Sequence, residues 1–130
     1  MNSVTKLEDL RFFFRVWSKD AKEYLFKNTR VLNGDFLAFN EESVVFEQCT
    51  GLCDSKGKLI YEGDIIELKM FRFDCNTGIT KQCYQSHSPV TYKDGCFWLG
   101  FSTPLFNICK SDTTAEVIGN IHQRQEDYQQ

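Results

Sequence analysis

Thr50–Ile66, with the sequence TGLCDSKGKLIYEGDII, combines two glycine turns with the apolar residues of two strands. Gly57 can adopt the positive φ that a tight reversal needs, so the residues around it favour a turn. Leu59–Tyr61 favour a half-buried, pleated surface. Gly63 interrupts this apolar pattern, and a glycine there marks a bulge or sharp bend before the strand resumes at Ile65. The stretch therefore predicts a turn, a short strand, a bend and a long strand.

The same stretch resembles the signature of the YopX family of phage and prophage proteins. Two further segments agree with that family in order and spacing: Phe14-Arg15-Val16-Trp17 near the start and Glu116-Val117-Ile118-Gly119-Asn120-Ile121 near the end. Together the three segments span nearly the whole chain. The resemblance implies an SH3-like β-barrel core and assigns no biochemical activity. The sequence departs from the family pattern at Ser18, Cys49 and Cys53 and in a long insert around Cys75–Ser88, so the resemblance gives the cysteines no role.

The composition is that of an ordinary globular domain with an excess of aromatic residues. The chain has 130 residues, a formal net charge of −3, and 15% aromatic residues, of which 12 are Phe. This length fits a single domain over residues 1–130, with loose polar tails at residues 1–10 and 123–130. The aromatic excess fits either a filled β core or a subunit interface. A protein that binds nucleic acid by itself is usually basic, so the negative charge disfavours that class.

Six cysteines would suggest a disulfide framework in a small secreted chain. The segment Met1–Lys6 lacks the apolar core of a signal peptide, and no apolar run approaches the length of a membrane span. We therefore expect a cytoplasmic protein of a bacterial host, with reduced thiols and no membrane association. The thiols are expected to pack as small hydrophobic groups, with Cys96 and Cys109 in strands.

Short alternating segments separated by tight turns predict a mainly β protein with little helix. The two dipeptides Asn33-Gly34 and Asp94-Gly95 predict type I′ hairpin turns. Leu105–Cys109 predicts a short strand or a turn of helix, and Gly119 predicts a bulge in the last strand. Both faces of the first strand carry apolar residues, so both are expected to be covered. The predicted strands are Arg11–Trp17, Tyr24–Phe26, Val44–Cys49, Leu59–Tyr61, Ile65–Phe73, Val90–Tyr92, Cys96–Leu99 and Ala115–Ile121.

Ile79–Ser88 has the weakest periodic pattern of the chain. It predicts either a hairpin that extends beyond the barrel or a mobile loop. Pro89 has no backbone N–H to donate, so it is expected to be excluded from a central strand position. The predicted fold is thus an SH3-like β-barrel with an extended hairpin or a loop insertion.

The sequence offers little catalytic or metal-binding chemistry. No Cys-x2-Cys pair is present, and neither histidine has a second histidine at ligand spacing. Cys83 and His87 are the only close nucleophile and base, and their spacing on an irregular segment is what chance placement gives. Glu62 and Asp64 lie at a bend, where turn capping explains Asp64 better than acid–base catalysis. We predict no enzymatic activity, no metal site and no cofactor.

Two groups of residues are candidates for an interaction surface. The first strand and the turn after it carry basic and aromatic side chains that could form one face. The alternative is that Trp17 lies in the core and the charges only solvate an edge. The loop Thr50–Lys58 is either a recognition loop or a corner of the scaffold. The candidate residues are Arg15, Trp17, Lys19, Lys22, Asp54, Lys56, Lys58 and Tyr61.

Two functional hypotheses follow. The first is a non-enzymatic interaction module of phage or prophage origin that self-associates or binds a protein partner. The alternative is a nucleic-acid accessory protein that uses the basic face from Arg15 to Lys22, with binding that weakens as salt rises.

Overall fold

The computed structural model describes residues 13–30 and 43–123, which are mainly β. Their strands form two compact units, each built on one sheet. The predicted Asn33-Gly34 turn, residues 1–10 and residues 124–130 lie outside the described residues, and the single domain over residues 1–130 stays a prediction. Unit 1 contains β1 (Phe13–Ser18), β2 (Glu23–Arg30), β3 (Val44–Cys53) as far as Leu52, and β4 (Leu59–Tyr61). Unit 2 contains the loop Cys53–Lys58 and the strands β5 (Asp64–Asp74), β6 (Ile79–Lys93), β7 (Cys96–Leu99), β8 (Thr103–Pro104) and β9 (Thr113–Asn120).

Unit 1 has the strand order β2-β1-β3-β4, and β1 is antiparallel to both of its neighbours. Arg15 and Val16 point to opposite faces of β1, and both are buried. This confirms the expectation that both faces of the first strand are covered. The second strand is longer than predicted, because it extends to Arg30 rather than ending at Phe26.

Unit 2 has the strand order β8-β7-β6-β5-β9, so the last strand returns to pair with the first strand of this sheet. Its buried apolar side chains include Ile66, Val90, Leu99 and Ala115. Leu105–Cys109 forms a 3₁₀-helix before β9, which confirms the helical alternative. No helix within residues 13–30 and 43–123 is long and apolar enough to cross a membrane.

The predicted turns of this unit depend on local residue chemistry, and the structure confirms them. Asp94 and Gly95 have φ values of 54° and 81°, which a type I′ turn requires at both central positions. They connect β6 to β7, with Lys93 paired to Cys96. The pairing of β5 with β9 shifts by one residue next to Gly119, where a bulge was predicted.

Ile79–Ser88 belongs to the single 15-residue strand β6, so the hairpin alternative for this segment is confirmed. Asp74 pairs with Ile79, and the register continues to Ile65 and Pro89. Within the described residues, β9 covers β5 only as far as Met70, and β7 covers β6 only from Val90 onward. The hairpin therefore extends beyond the strands on either side of it.

The expectation that Pro89 is excluded from a central strand is wrong. Pro89 pairs with Ile65 of β5, and its carbonyl accepts a hydrogen bond from the N–H of Gly100 at 2.8 Å. The N–H that proline lacks would point to the carbonyl of Gly100. That carbonyl instead accepts a hydrogen bond from the Thr91 hydroxyl at 2.6 Å. The missing ladder bond is thus replaced by a side chain two residues away.

The expectation that the thiols pack as small hydrophobic groups is also wrong for most of them. Only Cys49 is buried, whereas Cys53, Cys75, Cys83, Cys96 and Cys109 are exposed. Cys96 begins β7, as predicted, whereas Cys109 ends the 3₁₀-helix rather than lying in a strand. The five exposed cysteines lie at strand ends, in a turn, on the exposed hairpin and at the end of the 3₁₀-helix.

Candidate interaction surface

Asp54 organises the loop Cys53–Lys58 and connects it to β9. One carboxylate oxygen accepts hydrogen bonds from the N–H groups of Lys56 (2.9 Å) and Lys58 (2.8 Å). The other accepts a hydrogen bond from the N–H of Val117 at 2.9 Å. Asp54 is 7% exposed, and three N–H donors to one buried carboxylate fix the loop.

The neighbouring residues of the loop repeat this connection. Ser55 accepts a hydrogen bond from the N–H of Ala115 and donates its own N–H to the Ala115 carbonyl, both at 2.8 Å. Lys56 forms an exposed ion pair with Glu116 at 2.9 Å, and the hydrogen bond to Glu116 raises the pKa of Lys56. The central and closing motifs of the sequence therefore meet in unit 2. This geometry favours the interpretation of the loop as a corner of the scaffold. The Lys56 and Lys58 side chains are exposed to solvent.

Arg15 lies inside unit 1 rather than on its surface. Its Nε donates to the carboxylate of Glu47 at 2.7 Å, and its Nη2 donates to the Glu62 carbonyl at 3.3 Å. The guanidinium lies over the rings of Tyr24 and Tyr61, 4.6 and 4.8 Å from their centroids. Glu47 is 2% exposed, so this is a buried ion pair enclosed by aromatic rings.

The same cluster extends to Trp17 and to the carboxyl group of Glu62. Trp17 is half-buried and packs edge-on against Tyr24, with ring centroids 4.9 Å apart. Burial raises the pKa of the Glu62 carboxyl; a backbone hydrogen bond with Gln48 opposes this shift, and the nearby Glu47 charge adds to it. The opening motif and Tyr61-Glu62 of the central motif thus meet in a buried electrostatic cluster.

The predicted basic face is divided by this arrangement. Lys19 and Lys22 are exposed in the turn between β1 and β2, and Lys22 has a positive φ of 56°. Arg15 and Tyr61 are buried in the cluster, and Trp17 is half-buried beside it. Only the two lysines of this group present charged side chains to solvent.

A second surface was not found by sequence reasoning. We call the part of the β5–β6 hairpin from Phe71 to Tyr84 the arm. It exposes three large apolar side chains: Phe73 (63%), Ile79 (51%) and Tyr84 (50%). Every residue of Ile79–Gln85 is exposed. The sequence shows the apolar residues at these three positions. It does not show that they lie on a strand pair, because apolar and polar residues do not alternate regularly in this part of β6.

The arm also places two positive charges opposite each other. Arg72 and Lys81 are cross-strand partners, and neither forms an ion pair with any described residue. Like charges at directly opposed positions destabilise a strand pair. A recess of about 420 Å³ beside them is lined by residues that include Phe73, Cys75 and Cys83.

Nearer the core of unit 2, a row of polar side chains crosses the hairpin. Glu67 accepts a hydrogen bond from Gln85 at 3.2 Å, bonds to His87 Nε2 at 2.9 Å and forms an ion pair with Lys69 at 3.4 Å. The hydrogen bond with His87 is the largest of several contacts that lower the pKa of Glu67. This network uses His87, while the Cys83 thiol donates to the carbonyl of Met70. Cys83 and His87 therefore have separate partners.

No group of three or more His, Cys, Asp or Glu residues in the described ranges is arranged to hold a metal ion.

The comparisons with known proteins agree with the central and closing motifs, both of which lie within the matched residues. The sequence model of the YopX protein family matches residues 29–126. The crystal structure of protein EF1440 from Enterococcus faecalis is similar to this chain, with a TM-score of 0.57, 27% sequence identity, and coverage of 85% of this chain and 92% of that chain. No curated protein matches. Because the family match covers most of the sequence, this chain belongs to the YopX family.

Proposed function

We propose that this protein is a non-enzymatic interaction module of phage or prophage type, which acts in the cytoplasm of a bacterial host by self-associating or by binding a protein partner. The arm is the observation that supports this proposal. It carries exposed apolar residues on a strand pair whose outer edges pair with no other strand of the described residues, although the N–H of Phe71 donates to the Asp112 carbonyl. Exposed apolar groups beside an unpaired strand edge are typical of a site that another chain covers.

The proposal includes the SH3-like strand arrangement that the family resemblance implies. It is supported by the antiparallel sheet of unit 2, in which β5 to β8 follow in order and β9 returns to β5 after a 3₁₀-helix. The arm then corresponds to the hairpin that extends beyond this arrangement. A fold of this kind serves many functions, so the proposal depends on the arm rather than on the fold.

The test compares the full chain with the double variant Phe73→Ser/Tyr84→Ser, which removes two exposed aromatic rings without touching the core. Native mass spectrometry under reducing conditions gives the subunit number. Affinity capture from host-cell lysate, with the double variant as the matched control, reports binding that depends on the arm. An oligomer, or a partner that the variant fails to capture, supports the proposal. A monomer that captures the same proteins as the variant overturns it.

A second candidate function is nucleic-acid binding, and the unpaired charges of Arg72 and Lys81 favour it. Together with the exposed Tyr84, they provide the positive groups and the aromatic face that single-stranded nucleic acid uses. The first-strand face retains only Lys19 and Lys22 for this role. Binding of a fluorescent oligonucleotide at low salt, lost in the variant Arg72→Gln/Lys81→Gln and weakened by added salt, would support this candidate. No change in anisotropy at low salt would exclude it.

A further inference from the structure

We propose that β6 of one copy pairs antiparallel with β6 of a second copy along Ile79–Ser88, so that the two arms join across a two-fold axis. This inference rests on the proposed function and names the partner, a second copy of the same chain. The occupant is a strand because the edge offers unpaired backbone groups. It is a copy of β6 because the sequence of this edge is compatible with itself in charge and in direction.

The backbone of β6 shows which groups are available. The Pro89 carbonyl accepts a hydrogen bond from Gly100 N–H, so the backbone groups of Pro89 point to β7. Alternate residues of a strand point to the same side. His87 and Gln85 therefore direct their N–H and C=O groups to this side, where β7 has already ended. No other strand of the described ranges pairs with β6 there.

The side chains are compatible with pairing between two identical edges. When Ile79–Ser88 of two copies overlap fully, Gln82 faces Gln85 of the second copy and Lys81 faces Ser86 of the second copy. No two like charges meet, and the facing amides can donate and accept in both directions. The extra residue Cys83 at the β5–β6 register shift places Gln82 and Gln85 on the same face, as their 3.0 Å side-chain hydrogen bond shows.

The chain also lacks most of the features that protect an edge strand. Over Ile79–Ser88 the only permanent charge is Lys81, and the first proline is Pro89, beyond the open segment. Natural edge strands are usually protected by several charges, by proline, by a β-bulge or by a covering element, and of these the segment has one charge and the bulge at Cys83. A closed two-fold pair would satisfy the β6 edges of both copies at once.

The first test uses the natural cysteines. Full overlap places the two Cys83 residues beside the two-fold axis, so mild oxidation of the reduced full chain with diamide should give a disulfide-linked dimer. We expect Cys83→Ser to abolish this dimer, and the matched control Cys75→Ser, at the turn of the same arm, to retain it. Cross-linking through other exposed cysteines, with Cys83→Ser unaffected, would contradict the proposed axis.

The second test exchanges charges at the facing amides. The variant Gln82→Lys/Gln85→Lys places like charges opposite each other and should weaken the dimer by about tenfold or more in sedimentation equilibrium. The matched variant Gln82→Lys/Gln85→Glu places opposite charges at the same positions and should restore the dimer. Gln82 and Gln85 are exposed in the single chain, but they hydrogen-bond to each other and Gln85 donates to Glu67. Denaturant unfolding of each variant beside the parent therefore separates a loss of chain stability from a loss of pairing.

The outcomes separate this inference from the proposed function. A dimer that both charge variants leave unchanged overturns the β6 pairing but not the interaction module. A monomeric parent that captures a protein through the arm also overturns the β6 pairing and leaves the interaction module standing. A monomeric parent with no capture that depends on the arm overturns both.

Discussion

Asp54 is the residue whose contacts explain most directly why the central motif is needed. Its carboxylate accepts from three N–H groups of the loop and of β9 while it is almost fully buried. We expect Asp54→Ala to lower the free energy of unfolding by about 2–3 kcal/mol, because a buried donor loses its charged acceptor. Asp54→Asn keeps one acceptor oxygen and should lose less. Urea unfolding of both variants measures the difference, and equal stability of parent and Asp54→Ala would contradict this role.

The buried ion pair of Arg15 and Glu47 permits a double-mutant cycle. Removing only the positive partner, as in Arg15→Met, leaves a carboxylate that is 2% exposed without its charge partner. We expect a loss of about 3–5 kcal/mol for this variant. The double variant Arg15→Met/Glu47→Leu removes both charges and should be more stable than the single variant. If the double variant is the less stable of the two, the pair does not act as a compensated buried charge.

Glu62 gives a pH dependence with a definite sign. Burial raises the pKa of its carboxyl above the usual 4.5, so its protonated form is favoured in the folded chain. The stability that this contributes is present below pH 4.5 and is lost as the pH rises through the raised pKa. We expect Glu62→Gln to be more stable than the parent at pH 7, with the difference shrinking toward pH 4.5. Thermal unfolding across that range checks it, and a difference that does not vary with pH would contradict the assignment.

At the scale of the strand, the hydroxyl of Thr91 allows β6 to contain a proline at a central position. We expect Thr91→Val to destabilise the chain by about 1 kcal/mol, because the carbonyl of Gly100 loses its donor. Thr91→Ser retains the hydroxyl and is the matched control. Denaturant unfolding compares the two, and equal stability of the valine and serine variants would contradict the compensation.

The strands that were predicted well are those whose signals are local. The turn at Asp94-Gly95 and the bulge next to Gly119 depend on residues that are adjacent in the chain, and both are present. The prediction for Pro89 was wrong because it considered only the N–H that proline lacks. It did not consider that another donor, here the Thr91 hydroxyl, can bond to the carbonyl of Gly100. β6 gave no clear pattern because Ile79–Gln85 is exposed on both faces, and alternation arises only where one face is buried.

At the scale of the whole molecule, the family motifs could be identified from the sequence but the candidate surface could not. Arg15 was predicted to lie on the surface because its partner Glu47 is 32 residues away in the sequence and their contact forms only in the fold. The sequence did not identify the arm as a surface with open strand edges. Whether an edge is open depends on where the neighbouring strands end, and that is not visible in the local sequence. The exposure of five cysteines could not be foreseen either, because burial depends on which strands cover which.

The measurement that tests the pairing of β6 most directly is amide hydrogen exchange as a function of protein concentration. We expect the N–H of Gln85, which points away from β5, to be protected at high concentration and to lose that protection on dilution. The N–H of Ser86 points to β5 and should be protected at every concentration. A Gln85 amide that exchanges rapidly at every concentration, beside a protected Ser86 amide, would show that no second strand covers this edge and would contradict the account.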